Sequence, residues 1–291
     1  MDDIGFELAH VDDGIDLVVK GIWTTACTEV LTAGHADGLV LNYALGYAEP
    51  DLDFLREWPI KRLKILDRSV TDLSPIYRLA ATLRKLEVLT APSATLDLSL
   101  LSGLQDLGAG WGQVRDTISD VPELKRIFVL YFDAPDLTVF KANPLLESIR
   151  MKDRPKIQSL KGFQDLTQLG ELGIFRGSRL NDISGFDSTT ENTVLHTLKL
   201  EACRKVTSLA PIRNLRSLKT LNIGDCGDID SLHPLSSLQY LEELFAYGTT
   251  KVQDGDLSLL LALPRLRVVR IRPRKSYRPA VGEVENHVGI S

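Results

Sequence analysis

The chain has 291 residues, of which 44% are hydrophobic and 25% are charged, and its formal net charge is −5. These proportions are typical of a globular protein and exclude disorder over most of the chain. The acidic balance argues against general nucleic-acid binding, which requires a basic face. No run of residues approaches the roughly 18 apolar positions that a membrane-spanning helix needs, so we expect neither a nucleic-acid nor a membrane partner.

The N-terminus and the cysteine content indicate the compartment. The chain begins MDDIGFE, which is acidic where a secretion signal is basic and then apolar. Three cysteines, Cys27, Cys203 and Cys226, are too few for a disulfide scaffold. We therefore expect a cytoplasmic protein with free thiols.

The first elements along the chain predict a cap. Apolar residues alternate over Ile4 to Leu8 and again over Ile15 to Val19, and the turn signal Asp12-Asp13-Gly14 lies between them. This pattern predicts a β-hairpin. Its second strand should begin a parallel sheet, because Leu17 and Val19 lie 22 residues before Leu39 and Leu41, in the first copy of the motif described next. Thr24 to Ala33 predicts a helix.

One motif then recurs along most of the chain. It reads Leu-x-x-Leu-x-Leu, with Ile, Val, Met or Ala as substitutes, and its copies are spaced by 23 residues on average. The eleven copies start at residues 36, 60, 83, 104, 124, 146, 169, 195, 218, 241 and 266. Such regularity predicts a repeat architecture, in which each repeat buries its apolar face against its neighbours.

Each repeat also has a second apolar half. Three copies read TDLSPI at 71–76, TSLAPI at 207–212 and DSLHPL at 230–235. Proline presets φ for the first turn of a helix, and Ser, Thr or Asp before it can accept hydrogen bonds from free N–H groups. Each repeat is therefore predicted to be a short strand, a loop and a short helical turn.

This pattern resembles the leucine-rich-repeat family, specifically its short internalin-like class, over residues 36–273. The resemblance implies an α/β solenoid: a curved, right-handed array with a concave parallel β-sheet of about 11–12 strands and short helical turns on the convex side. Residues 1–35 would form the N-terminal cap, and residues 274–291 a C-terminal cap or tail.

One departure from the family concerns the Asn or Cys that usually follows the strand and bonds to the turn backbone. Only Cys203 and Cys226 fit this position, and Thr249 and other residues occupy it in the other repeats. We call the series of such side-chain hydrogen bonds to the turns the polar ladder, and we expect it to be broken. The two thiols occupy equal positions in successive repeats. We expect them to be adjacent, buried and reduced.

Motifs for catalysis or metal binding are absent from the sequence. The five histidines form no His-x-x-x-His pair, and there is no Cys-x-x-Cys, phosphate-binding loop or nucleophile elbow. Asp225, Asp228 and Asp230, with Glu201 on the previous repeat, could bind calcium but lack the spacing of a calcium loop. We interpret them as a solvated acidic patch, and we expect no metal, no cofactor and no enzymatic activity. The polar stretch 187–192 predicts a loop insertion, with a partner contact as the alternative.

The concave face is the candidate functional site. Strand alternation buries the leucines and turns the intervening residues to this face, which holds 7 of the 19 aromatic residues although its positions make up about 15% of the chain. Strand propensity, or a register slip in the weaker repeats, would explain two or three of them. The candidate partner-binding residues are Tyr43, Trp111, Phe128, Tyr131, Arg150, Lys152, Phe175, Arg176, Phe245 and Tyr247.

Charges on the same face are mixed, with ten basic and eight acidic residues. That balance is too weak for binding a phosphate backbone and suits a protein partner. The sequence thus predicts a monomeric, non-enzymatic protein-interaction module that acts as a scaffold or inhibitor. The alternative is a cognate immunity or inhibitor protein of a toxin or enzyme. Two further hypotheses remain. One is an enzyme with an active site on the concave face, and the other is nucleic-acid binding through the basic segment 270–278.

Overall fold

The computed structural model describes residues 5–187 and 194–289. The chain divides into two compact units, Met1–Val129 and Leu130–Ser291, and each is described by itself. Ile4, expected in the first strand, and most of the loop expected at 187–192 lie outside the described residues.

The first unit is built on strands that follow one another across the sheet in chain order. β1 and β2 pair antiparallel, and β2 to β6 pair in parallel with the leucines of successive repeats side by side. The elements are β1 (Phe6–Val11), β2 (Gly14–Val19), α1 (Thr25–Thr32), β3 (Gly38–Asn42), β4 (Arg62–Leu66), β5 (Lys85–Val88), β6 (Asp106–Gly110), α2 (Trp111–Val114) and β7 (Arg126–Leu130), which reaches the unit boundary.

The predicted N-terminal hairpin and helix are confirmed. β2 pairs with β3 in the expected register, with Leu17 beside Leu39. The hydroxyl of Thr24 caps α1 by accepting a hydrogen bond from the Cys27 N–H, 3.4 Å away. Cys27 and Leu31 face the core from α1 and are fully buried.

The second unit continues the same construction in chain order, with parallel pairing from β8 to β15 in its main sheet and a second, two-stranded sheet of β12 and β14. Its elements are β8 (Ser148–Lys152), β9 (Glu171–Ile174), β10 (Thr197–Lys199), β11 (Thr220–Asn222), β12 (Asp228–Ile229), β13 (Glu243–Ala246), β14 (Lys251–Val252), β15 (Val268–Ile271) and α3 (Val281–Val288).

The repeat motif marks the core in both units. Every apolar motif position from Ala36 to Ile271 is buried, including the substituted Ala109 and Ala246. The return half of the second to tenth repeats contains a short 3-10 helix, as expected from the proline-containing copies, whereas in the first repeat a 3-10 helix directly follows β3. These helices are Tyr43–Leu45, Ser74–Leu79, Leu98–Leu101, Ile118–Asp120, Thr138–Phe140, Phe163–Asp165, Ser184–Phe186, Ala210–Asn214, His233–Ser237 and Ser258–Leu261.

The C-terminal end of the array is covered by a helix. α3 buries Val281, Val284 and Val288, which recur on one face of the helix, and it packs against β15. Exposed apolar edges destabilise a repeat array. The position of α3 against the last strand of the array is what a C-terminal cap requires.

The hydrogen-bonding ladder beneath the turns extends further than the sequence indicated. Cys203 and Cys226 are buried and reduced, and their thiols donate to the carbonyl oxygens of Ile174 (3.5 Å) and Leu200 (2.8 Å). Thr250 continues the series, because its hydroxyl donates to the carbonyl oxygen of Ile223, 2.6 Å away. The expectation that only Cys203 and Cys226 supply this hydrogen bond is therefore wrong for the following repeat.

The residue that continues the ladder, Thr250, lies one position after the residue that the repeat spacing indicates. Thr249 was placed there by spacing, but it is exposed. A turn closed by the Thr250 N–H and the Tyr247 carbonyl oxygen, 3.3 Å apart, directs Thr250 inward instead. Burial raises the pKa of both ladder thiols, and the pKa of Cys226 reaches about 11, so both stay protonated donors.

Candidate partner-binding face

In each strand of the main sheet, the side chains between the buried leucines point away from the core. We call the surface that they form the open face. In β8 and β13 every second residue is buried and the residues between are exposed or half-buried. Most of the candidate residues lie here, as their positions in the motif predicted. Tyr131, Arg150 and Arg176 are exposed, and the half-buried members are Phe128, Lys152, Phe175, Phe245 and Tyr247.

Phe175 is the centre of a basic and aromatic cluster in the second unit. Its ring lies over Gly173, where an added Cβ would come within 2.9 Å of the ring atom Cε2 and 3.6 Å of Cγ of Arg150. The Lys152 ammonium lies 5.3 Å from the centre of the ring, in the range of a cation–π interaction. The glycine thus creates the space in which an aromatic ring and two basic side chains meet.

A row of left-handed residues borders the open face where the strands of the second unit end. Tyr131 (φ 58°) and Arg176 (φ 61°) hold this conformation, which costs a non-glycine residue about 1–2 kcal/mol. Their N–H groups donate to carbonyl oxygens of the next repeat, at 3.1 Å for Tyr131 and 2.8 Å for Arg176. The row comprises Tyr131, Asp153, Arg176, Ala202, Asp225 and Gly248.

Sequence reasoning missed this row. Gly248 was the only signal for it, because a single glycine at one repeat position is weak evidence for a left-handed backbone in all of them. Gly248 is also required sterically, since a Cβ there would collide with the carboxylate of Asp225.

Three neighbouring repeats of the second unit present a compact polar and aromatic surface, which we call the β10–β13 patch. Strand register places Lys199 beside Asn222 and Asn222 beside Phe245. The patch consists of Thr197, Lys199 and Glu201, then Thr220, Asn222 and Gly224, then Glu243, Phe245 and Tyr247. Asn222 had not been singled out from the sequence, because its role depends on partners in two other repeats.

Tyr247 is fixed in place within this patch. Its hydroxyl donates to Oε2 of Glu201 at 3.0 Å, and Asn222 Nδ2 donates to the same oxygen at 3.2 Å. The ring covers Gly224, where an added Cβ would lie 2.5 Å from Cζ of the tyrosine. Burial and the nearby carboxylate of Glu201 raise the pKa of Tyr247, which keeps the phenol a donor.

Several solved structures have a similar fold. No protein-family profile and no curated protein matches the chain. Among solved structures, the mouse RP105/MD-1 complex matches with a TM-score of 0.53 and 18% identity over 81% of this chain and 41% of that one. A leucine-rich-repeat protein of Leptospira interrogans matches with a TM-score of 0.50 and 16% identity over 74% and 62%.

A third match is the leucine-rich-repeat ectodomain of the receptor kinase GASSHO1/SCHENGEN3 of Arabidopsis thaliana, in complex with CASPARIAN STRIP INTEGRITY FACTOR 2. Its TM-score is 0.50 with 14% identity, over 87% of this chain and 34% of that one. These matches agree with the strand register and the buried motif described above. The chain has the leucine-rich-repeat fold. It spans less than two thirds of the length of each of these three proteins.

Two candidate residues of the first unit depart from the expected leucine-rich-repeat positions. Trp111 was expected on the open face, but it is 2% exposed, so that assignment is wrong. The chain enters α2 at Trp111, and Gln113 holds this turn by accepting from the Gly110 N–H (3.0 Å) and donating to Thr90 Oγ1 (2.9 Å). The indole therefore points into the core. Tyr43 lies in a 3-10 helix after β3 and is 66% exposed.

A metal site or a membrane-spanning helix would indicate a different functional class. Within residues 5–187 and 194–289, no group of three or more His, Cys, Asp or Glu side chains could hold a metal ion. The same part of the chain contains no helix of the length and apolarity that crossing a membrane requires. His196 is exposed, and its Nδ1 lies 3.0 Å from the Thr197 hydroxyl.

Proposed function

We propose that this leucine-rich-repeat chain is a non-enzymatic interaction module that binds a protein partner through the open face of its second unit, as a scaffold or an inhibitor. The observation that carries the proposal is the set of half-exposed aromatic rings on that face, Phe175, Phe245 and Tyr247. Exposed aromatic surface is unfavourable in water, and aromatic residues are the usual anchors of protein interfaces. Tyr43 and Phe128, on the first unit, remain separate candidates.

Backbone strain supports the same face. Tyr131 and Arg176 keep large side chains at positions where glycine would be less strained. Strained residues cluster at functional sites, because the surrounding structure must stabilise them. Two of the matched structures are themselves complexes by description, RP105 with MD-1 and the plant ectodomain with its integrity factor.

The polar contacts of the open face also favour binding over catalysis. Tyr247 donates to Glu201, and the Lys199 ammonium donates to Oε1 of Glu171 at 3.2 Å. These contacts join side chains of different repeats, adjacent for Lys199 and Glu171 and two apart for Tyr247 and Glu201, and they stiffen the surface. Catalysis would instead require a nucleophile held against a base. A stiff surface loses little entropy on binding.

Photo-crosslinking tests the proposal directly. A benzophenone amino acid is placed at Thr197 or Thr220 on the open face, and at Lys141, next to the 3-10 helix Thr138–Phe140, as the control. Both open-face probes should capture the same protein from native lysate, and the Lys141 probe should not. Equal capture at Lys141 would contradict the proposal.

The captured partner then allows affinity measurements. Removing an interface anchor typically costs about 2 kcal/mol or more, so Phe175→Ala and Tyr247→Ala should each weaken the Kd by about 30-fold. The melting temperature should barely change, because both rings lie outside the core. Arg150→Glu and Arg176→Glu should slow association and reduce its salt dependence. Alanine variants that bind as tightly as the original chain would refute the open face as the site.

A further inference from the structure

We infer that the partner presents a basic segment, carrying at least two arginine or lysine side chains, to the β10–β13 patch. This inference rests on the proposed function and specifies the chemistry of the partner at one part of the open face. It is carried by the charge balance, the spacing and the aromatic content of that patch.

The carboxylates in and beside the patch lack a compensating cation. Within the described residues, no Lys, Arg or His nitrogen lies within 4.0 Å of Glu201, Asp225 or Glu243. Lys199, the only basic residue of the patch, is already paired with Glu171 on β9, 3.2 Å away. Unlike the open face as a whole, the β10–β13 patch therefore carries negative charge that a basic partner would neutralise. Arg270, which lies beside Phe245 on β15, is itself 3.9 Å from Glu285.

Each of these carboxylates is held by one oxygen only. Oε2 of Glu201 accepts from Tyr247 and Asn222, and Oε2 of Glu243 accepts from the Thr220 hydroxyl at 3.1 Å. Asp225 accepts from the Thr249 N–H through Oδ1, at 3.0 Å. Among the described residues no donor reaches the other oxygen of these half-buried groups, so it can accept a hydrogen bond from a partner.

The positions of the carboxylates set a spacing for the partner. Glu201 and Glu243 lie at opposite corners of the patch. They are two strands apart across the sheet and about four residues apart along the strands, which corresponds to roughly 16 Å between their Cα atoms. An extended chain covers that distance in about five residues at 3.3 Å each. The partner should therefore carry basic side chains about four or five positions apart.

The aromatic rings make arginine the best fit. Phe245 follows Glu243 by two residues on β13, and Tyr247 contacts Glu201, so each carboxylate has a ring close by. A guanidinium group can stack on an aromatic face while it donates a hydrogen bond to the remaining oxygen of a nearby carboxylate. An acidic or purely apolar segment would instead bury these carboxylates without a partner, which is strongly unfavourable.

The test uses synthetic peptides as probes of the intact protein. The peptide Ac-Gly-Arg-Gly-Ser-Gly-Arg-Gly-NH2 carries two arginines four positions apart, and matched peptides carry glutamates at these positions or two adjacent arginines. Binding is followed by NMR through the backbone amides of Asn222, Gly224 and Tyr247. We expect the spaced arginine peptide to bind at least fivefold more tightly than adjacent arginines, and the glutamate peptide not to bind.

Two triple variants with the same change in net charge test whether the peptide binds at the β10–β13 patch or is attracted by the overall negative charge of the protein. The patch variant should weaken binding of the spaced arginine peptide at least tenfold, and the control variant less than twofold. The patch variant is Glu201→Gln, Asp225→Asn and Glu243→Gln. The control variant is Asp165→Asn, Asp254→Asn and Glu283→Gln, at exposed positions on a 3-10 helix, in the loop after β14 and on α3.

The outcomes distinguish this inference from the proposed function. Equal losses in the two triple variants, or tighter binding of the glutamate peptide, would overturn the basic partner and leave crosslinking at Thr197 unaffected. Failure of crosslinking at Thr197 and Thr220 would contradict the proposed function itself. If the patch variant unfolds, Glu243→Gln alone and Phe245→Ala give the same comparison, because each removes one part of the cation site.

Discussion

At the scale of single residues, three successive repeats of the second unit each satisfy a buried backbone carbonyl, but with different chemistry. Cys203, Cys226 and Thr250 each donate a hydrogen bond to the carbonyl oxygen that ends the buried strand of the preceding repeat. A hydroxyl is a stronger donor than a thiol. Thr250 also accepts from the Cys226 N–H at 3.0 Å, so it satisfies two buried backbone groups at once.

We therefore expect Thr250→Val to destabilise the protein by about 1–3 kcal/mol, the usual cost of leaving buried polar groups unsatisfied. Valine has almost the same shape, and Thr250 is only 1% exposed, so the loss reports on the hydrogen bonds. Chemical denaturation measures the free energy of unfolding. The control is Thr249→Val, at the exposed position that sequence spacing had assigned to the ladder, and it should change stability by less than about 0.5 kcal/mol. Equal effects of the two variants would contradict this hydrogen-bond assignment.

At the scale of elements, the N-terminal hairpin is tied to the array by one arginine on β4. Arg62 Nε donates to Oδ1 of Asp16 at 3.0 Å, and its Nη atoms donate to Asp37 Oδ1 at 2.5 Å and to the carbonyl oxygen of Asp13 at 2.7 Å. The side chain crosses above Gly38, where a Cβ would collide with the Asp16 carboxylate. The sequence showed the hairpin but not this tie, because the contacts span three strands.

Arg62→Met should loosen the hairpin and destabilise the first unit by about 2 kcal/mol or more, since it leaves the partly buried Asp16 without its cation and Asp37 with only the distant Lys61, 3.9 Å away. The Arg62 side chain is only 12% exposed. Lys64→Met is the control on the same strand, because it removes an exposed ion pair to Glu87 that is worth at most about 1 kcal/mol. Hydrogen exchange of the β1 amides and chemical denaturation measure the two effects.

The pH dependence of stability gives the same prediction a second readout. Hydrogen bonds from Arg62 and from the Ile15 N–H hold the pKa of Asp37 below its ordinary value. A lowered pKa in the folded state contributes stability above the unfolded pKa of about 4, and this stability is lost as the pH falls through the folded pKa. The Arg62→Met variant should therefore lose less stability than the original chain between pH 6 and pH 3. An unchanged acid profile would show that the tie contributes little.

At the scale of the whole molecule, the repeats were predictable because each one uses the same local rule. Leu198, Leu221 and Leu244 lie side by side in the sheet because their spacing of 23 residues returns the chain to the same position. The candidate site was predictable only in part. Strand alternation placed Phe175 and Tyr247, whereas the left-handed row and the turn into α2 depend on backbone conformations that spacing does not encode.

Trp111 and Tyr131 show the difference most clearly, because both stand two residues after the last buried strand position of their repeats. Trp111 is 2% exposed and begins α2, whereas Tyr131 is 58% exposed and left-handed. The same repeat position thus contributes to the core in one unit and to the open face in the other. Substitutions of Trp111 and Tyr131 can therefore distinguish an effect on folding from an effect on binding.

We expect Trp111→Ala to destabilise the protein by about 3–5 kcal/mol, because it leaves a large cavity in the core. At about 2–4 °C per kcal/mol for a chain of this size, the melting temperature should fall by roughly 10 °C. Tyr131→Ala should leave the melting temperature nearly unchanged, since alanine and tyrosine pay a similar cost for the left-handed backbone, but it should weaken the crosslinked partner's Kd at least about tenfold. Calorimetry and binding titrations on both variants measure the contrast. If Tyr131→Ala lowered the melting temperature and left the Kd unchanged, Tyr131 would belong to the fold and the interface would have to lie elsewhere on the open face.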